Sequence, residues 1–243
     1  MAAMTVAAAL GAASCSTTSR LEAGDVLYTG VKKVDYRQAD SVKIDANVQD
    51  QIFEAINVKP NNPLYSPYYR TPLPIGLWVY NHWNPNSKGL KGWLYRKLAS
   101  QPVLISRVRP EARVKMINTL LSNNGYFSSS AAYTLNYSSK NKRKASVTYS
   151  VNVGKPYTIG HVTYLEGGTP LSQLIDSMAR ADSYLRQGKR YCLDSLNNTR
   201  INITNKLRDK GYYYFQPEYL QYEADSSLVK GVIDLRLVKS ANI

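Results

Sequence analysis

The sequence predicts an α+β protein made of two copies of a β-α-α-β-β unit. Three observations carry that prediction. First, a stretch occurs twice: a constant offset of 86 places Gly125 on Gly211, Ile117 on Ile203, Leu121 on Leu207 and Tyr133 on Tyr219. Second, each copy opens on a helical period, with Ile117 and Leu121, or Ile203 and Leu207, one turn apart on one face. Third, each copy closes on a strand period. Val147, Tyr149 and Val151 alternate with polar residues, and the offset carries them onto Ile233, Leu235 and Leu237. An ungapped match that keeps both periods marks an internal repeat.

The elements follow in chain order. Ala2 to Ala13 is short, small and uncharged, and runs into Ala12-Ala13-Ser14-Cys15. Residues 1–14 therefore read as a signal peptide, too short to span a membrane. Cys15 is placed as a lipoprotein cleavage site would place it, which makes it the expected lipidation residue. An ordinary secretory signal with an incidental Cys is the alternative. Residues 15–24 read as a polar lipidated tether.

Asp25 to Asp35 reads as a first strand, and Val48, Ile52 and Ile56 at i, i+4, i+8 predict a helix over about 44–57. From about 60 to 103 the composition changes. Eight of the eleven prolines lie between Pro60 and Pro110, with all three Trp, and no Asp or Glu occurs there. Within this insertion, Leu90, Leu94 and Leu98 share a helical face beside Trp93, and Lys91, Arg96 and Lys97 flank it. That is the pattern of a short interfacial helix, with Trp78 nearby. Packing of the Trp residues on neighbouring protein is the other reading.

The first copy then supplies a helix over 107–124 and strands over 126–137 and 145–153, joined by the basic loop Lys140–Lys144. That loop reads as a solvated turn in preference to a nucleic-acid or lipid contact. After Gly154-Lys155-Pro156 come a strand over 157–165, helices over 171–185 and 193–210, and strands over 212–222 and 228–238. Asp194 and Ser195 are candidate caps. This gives a first unit at 25–154 and a second at 155–240.

Chemistry is nearly absent from the sequence. Two His, His82 and His161, lie far apart, and no Cys/His/Asp spacing suits zinc. No phosphate loop is present: Gly167-Gly168 lacks the third Gly and the Lys. No cofactor, metal site or catalytic residue is expected, and the chain reads as no enzyme. Cys192 would be the sole cysteine left after lipidation, so no disulfide framework is possible. Net charge is +14, which calls for an anionic neighbour without choosing among nucleic acid, membrane and acidic protein. Twenty Tyr against three Phe suit half-wet sheets better than one deep core.

The element order, the Leu-x-x-x-Gly-Tyr junction at Leu121–Tyr126 and Leu207–Tyr212, and the Gly154-Lys155-Pro156-Tyr157 link resemble POTRA domains. These are the periplasmic modules of the BamA/TamA outer-membrane assembly family. Cys15-Ser16-Thr17-Thr18, Leu27-Tyr28-Thr29-Gly30-Val31-Lys32-Lys33, Leu77-Trp78-Val79-Tyr80-Asn81 and Gly89-Leu90-Lys91-Gly92-Trp93-Leu94 resemble its TamL-type lipoprotein branch. The resemblance implies tandem POTRA-like domains, each a three-stranded mixed sheet with two helices, with the last strand central and the one before it at an edge. It also implies continuation into a transmembrane β-barrel, whose strand pattern this sequence lacks.

Two functional readings result. The resemblance implies a periplasmic scaffold, lipid-anchored in the outer membrane, that binds client or partner proteins by strand addition at sheet edges, with no nucleic acid expected. The alternative is a basic envelope lipoprotein that binds anionic polymer or lipid. Pro217 falls within the expected strand 212–222 and would blunt that edge. The expected docking edge is therefore 126–137, with Tyr126, Ser128, Ser130, Ala132 and Thr134 as its contact residues. The expected membrane-proximal residues are Trp78, Leu90, Lys91, Trp93, Leu94, Arg96, Lys97 and Leu98.

Overall fold

A computed structural model describes residues 16–38, 43–61, 75–165, 168–226 and 229–240. Cys15 and the expected signal segment lie outside these residues. The elements are β1 (Leu27–Gln38), α1 (Ala46–Ile56), α2 (Ile75–His82), α3 (Gly89–Leu98), α4 (Ile105–Val108), α5 (Pro110–Asn123), β2 (Ser130–Tyr137) and β3 (Lys144–Val153). They continue with β4 (Thr158–Thr163), α6 (Pro170–Arg180), α7 (Leu193–Asp209), β5 (Leu220–Asp225) and β6 (Val232–Lys239). The chain forms two compact units. One gathers Met1–Tyr36, Phe53–Met116 and Ala131–Val151; the other gathers Arg37–Ile52, Ile117–Ser130 and Asn152–Ile243.

Two three-stranded mixed sheets with helices make this an α+β fold. The strand orders are β1-β3-β2 and β4-β6-β5, so the last strand of each is central. In the second sheet β4 runs parallel to β6, pairing Ile159 with Ile233, and β5 runs antiparallel to it, pairing Tyr222 with Leu237. A parallel neighbour needs a long crossover, and α6 and α7 lie in the connection that returns the chain to this sheet.

The apolar periods become buried faces. Val48, Ile52 and Ile56 of α1 have no exposed surface, and nor do Ile117, Leu121, Val147, Tyr149 and Val151. In the second unit Ile175 and Ala179 of α6 and Leu196, Ile203 and Leu207 of α7 join one cluster with Ile159, Ile233, Leu235 and Leu237. Each such aliphatic side chain contributes about 1.5–3 kcal/mol by leaving water.

The repeat reaches the hydrogen bonds. After α5, the Gly125 N–H donates to the Ser122 carbonyl at 3.0 Å and the Tyr126 N–H to the Leu121 carbonyl at 2.8 Å. After α7, the Gly211 N–H donates to Arg208 at 3.0 Å and the Tyr212 N–H to Leu207 at 3.1 Å. Both are Schellman closures, and both need a left-handed residue, with φ of 84° at Gly125 and 98° at Gly211. A further turn follows each: Ser129 donates to Tyr126, and Phe215 to Tyr212.

That extra turn corrects the sequence reading. The strands begin at Ser130 and Leu220, not at 126 and 212, because the chain must unwind from the helix end before it can pair. Pro217 opens a short 3-10 turn, Pro217–Tyr219, and lies outside β5. The helix expected over 107–124 is also divided. Arg109 adopts left-handed backbone, with φ 50°, and closes α4, and Pro110 then starts α5, where its missing N–H costs nothing. The expected helix 171–185 stops at Arg180 and the strand 228–238 begins at Val232. Thr169 caps α6, its side chain accepting the Ser172 N–H at 3.2 Å. Neither Asp194 nor Ser195 caps α7: the N-cap position is Cys192, with no side-chain bond.

Candidate functional site

Each sheet has one covered edge. Beside β1, the Tyr28 N–H donates to the Val103 carbonyl at 2.8 Å and the Ile105 N–H to Val26 at 3.0 Å, with Leu104 bridged to Leu27. Beside β4, the Ile159 N–H donates to Lys189 at 2.7 Å and the Tyr191 N–H to Tyr157 at 2.9 Å, with Arg190 bridged to Thr158. The segment leading into the second helix therefore performs the same task twice. Among the described residues, no strand or isolated bridge pairs with the outer side of β2 or β5. These two strands present the open edges, where another chain can add.

The two open edges differ in chemistry. β2 reads Ser-Ala-Ala-Tyr-Thr-Leu-Asn-Tyr, eight residues with neither charge nor proline. Ser130, Ala132 and Thr134 are exposed and alternate with half-buried positions. Asn136 donates to Thr148 Oγ1 on β3 at 2.9 Å, and Tyr133 donates to Glu111 at 2.7 Å, which raises the Tyr133 pKa. β5 is six residues long and carries Glu223 and Asp225. Glu223 pairs across the strands with Arg236 at 3.1 Å.

Of the expected docking residues, Ser130, Ala132 and Thr134 lie on β2. Ser128 is exposed in the turn before it. Tyr126 is buried, with its hydroxyl accepting the Asp45 N–H at 3.2 Å, and belongs to the core.

The insertion is helical where it is described. α2 buries Gly76, Leu77, Val79 and Asn81. Trp78 is half-buried, stacked on His82 at 4.7 Å and edge-on to Trp83 at 6.4 Å. α3 buries Gly92, whose missing side chain lets the helix sit against the Ser87 carbonyl. Elsewhere on α3, Leu90 is 73% and Trp93 51% exposed, with Lys91, Arg96 and Lys97 also exposed. Leu94 and Leu98 are half-buried.

A polar hub escaped the sequence reading. Residues 16–23 were expected to form part of a tether, yet the first of them are fastened. Ser16–Thr18 forms a 3-10 turn, and Thr17 and Thr18 are buried. Asn81 of α2 donates to the Thr17 carbonyl at 3.2 Å and accepts from Ser19 Oγ and the Arg20 N–H, both at 3.0 Å. Arg20 caps the end of α2, donating to the Trp83 carbonyl at 3.0 Å and to that of Tyr80. From the β2–β3 loop, Arg143 donates to the Thr18, Leu21 and Glu22 carbonyls at 3.2, 2.7 and 2.6 Å. Asn141 donates to Thr18 Oγ1 at 3.0 Å. Arg143 is thus a clamp, not part of a solvated turn. Nothing local in the sequence marks Asn81 or Arg143, because their partners lie about 60 and 120 residues away.

No protein-family model matches the sequence, and no curated protein does. Among solved structures, the chain is similar to POTRA domains 3–5 of BamA from Haemophilus influenzae, with 15% identity, 92% of this chain and 70% of that one covered, and a TM-score of 0.45. It is similar to POTRA domains 1–2 of Omp85 from Anabaena, with 14% identity, coverage of 91% and 100%, and a TM-score of 0.39. It is also similar to CdiB from Escherichia coli, with 10% identity, coverage of 93% and 29%, and a TM-score of 0.33. All three scores fall below 0.5, and the description of the fold rests on the chain's own strand order and pairing.

Proposed function

We propose that this chain is a non-enzymatic periplasmic scaffold of outer-membrane protein assembly, anchored through a lipid on Cys15. It binds extended segments of client or partner proteins by strand addition to β2. The observation that carries the reading is the unequal treatment of the edges. β1 and β4 are each covered by a bridged segment, whereas among the described residues no strand or isolated bridge pairs with the outer side of β2, which is uncharged and carries the small residues Ser130, Ala132 and Thr134. Backbone pairing supplies affinity in this mode, and small side chains let an incoming strand approach. The POTRA resemblance of the sequence points the same way.

The test uses a photo-crosslinking residue at Thr134 and a ten-residue peptide of alternating apolar and polar residues, as in a barrel strand. The crosslinker is expected to capture this peptide, and not a proline-interrupted version of it. Capture is expected to hold steady when salt rises, whereas binding of a polyanion would weaken by orders of magnitude. Equal capture from Gln221 on β5, or none from Thr134, removes the basis for the choice of edge. For the anchor, fatty-acid labelling is expected to mark the protein and Cys15→Ala to abolish the mark; label that survives the change refutes it.

A further inference from the structure

We propose that α3 is a membrane-surface element that binds anionic lipid through Leu90 and Trp93, ringed by Lys88, Lys91, Arg96 and Lys97. The buried side of α3 is fixed at Gly92, against the Ser87 carbonyl. Away from it, Leu90, Trp93 and Lys97 follow one another at helical spacings of three and four; Arg96, four residues after Gly92, lies on the Gly92 side, and Lys91 reaches the Trp83 ring. Two large apolar side chains at 73% and 51% exposure, set among four exposed cations, form an apolar centre with a basic rim.

Charge selects the occupant. Residues 56–109 contain no Asp or Glu. Among the described residues none of the four cations pairs with a carboxylate, and Lys91 instead lies 5.9 Å from the Trp83 ring centre. A protein partner of mixed charge needs some carboxylates here to orient it. An anionic bilayer needs none: the basic rim meets the headgroups, and Trp is at home at that depth. A second observation links α3 to the residues that follow Cys15. Thr17, Ser19 and Arg20 are fastened to α2 through Asn81, and α2 packs on α3. A lipid on Cys15, as proposed above, would enter the bilayer from a backbone fastened to this same insertion. The α3 surface stands without that lipid, and the test removes it.

The experiment uses the full chain with Cys15→Ser, so that no acyl chain contributes. Vesicles contain phosphatidylglycerol and phosphatidylethanolamine, or phosphatidylcholine alone. With Trp78→Phe and Trp83→Phe, Trp93 is the sole Trp emitter. Its emission is expected to shift to the blue and to be quenched by brominated lipid in anionic vesicles only. In chains that keep all three Trp, Leu90→Ser with Trp93→Ser, or Lys91→Glu with Lys97→Glu, is expected to lower sedimentation with anionic vesicles at least about tenfold. Lys140→Glu with Lys142→Glu, equally exposed and equal in charge, is expected to change it little. These positions are exposed, so circular dichroism should be unaltered. Unquenched Trp93, equal binding to neutral vesicles, or a loss in the Lys140/Lys142 variant as large as that in the α3 variant overturns the proposal.

Discussion

The two helix ends at Gly125 and Gly211 share one closure and sit in different surroundings. Both make the same pair of backbone bonds, and both hold φ near 90°. At Gly211 a Cβ would meet nothing within 4 Å. At Gly125, inside the second unit, it would lie 2.8 Å from the Tyr191 carbonyl and 3.3 Å from that of Tyr157. The Gly125 carbonyl also accepts the Tyr157 N–H at 2.8 Å. One glycine therefore serves only the turn, whereas the other serves the turn and a close approach of backbone. The identical sequence signature, Leu-x-x-x-Gly-Tyr, conceals this. A repeat preserves local geometry because local geometry is set by neighbouring residues; what packs against it is free to diverge.

The largest expected effect separates these two positions. Gly211→Ala should cost about 1–2 kcal/mol, the penalty of left-handed backbone for an L-residue. Gly125→Ala adds a clash with backbone that cannot rotate away and should cost about 3 kcal/mol or more. Urea unfolding of both variants measures the gap. Equal costs would mean that the Tyr191 segment moves aside freely.

A second contrast lies at the sheet centres, where the repeat places Tyr149 in β3 and Leu235 in β6. Tyr149 is fully buried and its hydroxyl has no hydrogen-bond partner among the described residues. Burial pushes its pKa up to about 12. Tyr149 is then neutral in the fold while the unfolded chain ionises near pH 10. The stability it contributes is fully present below pH 10 and is lost as pH rises through about 12. Tyr222 on β5 is shifted upward by burial as well, so the alkaline loss arises in both sheets. Tyr149→Phe should leave stability at pH 7 unchanged or raise it by about 1 kcal/mol, and should flatten the alkaline slope in part. A loss at pH 7 would mean that the hydroxyl is satisfied.

The smallest effect on stability concerns the edges. Giving β2 the charge that β5 carries, by Thr134→Lys, should change folding by less than about 0.5 kcal/mol at this exposed site. It should still weaken peptide capture, because a charged edge resists an added strand. Glu223→Ser on β5 is the reverse exchange. It costs little, since its partnership with Arg236 is solvent-exposed. Undiminished capture by Thr134→Lys would argue that β2 is not the docking strand.

Much of this was written locally. The faces of α1, α5 and α7, the glycine closures and the alternation in β3 and β6 each follow from residues within one or two turns of one another, so period and cap chemistry reveal them. On α3 the period names Leu90, Leu94 and Leu98 as one face beside Trp93; Leu90 and Trp93 are exposed, whereas Leu94 and Leu98 are half-buried. Boundaries were less so. The turns at 126–129 and 212–216 depend on how far the chain must travel before a strand finds its partner, and Pro217 consequently falls outside the strand it was expected to blunt. Cys192 is half-buried beside Asn124, which no local pattern announces.

Tertiary structure alone decided which edges are covered. The bridges from Leu104 to Leu27 and from Arg190 to Thr158 join residues whose types say nothing about pairing, because backbone groups make the bonds. It also decided that residues 17–22 are held by Asn81 and Arg143, mostly through backbone carbonyls and an N–H that any sequence offers. Side-chain period reports which face of an element meets the core. It is silent on which backbone groups meet each other across a hundred residues, and such meetings decide which strand edges are paired.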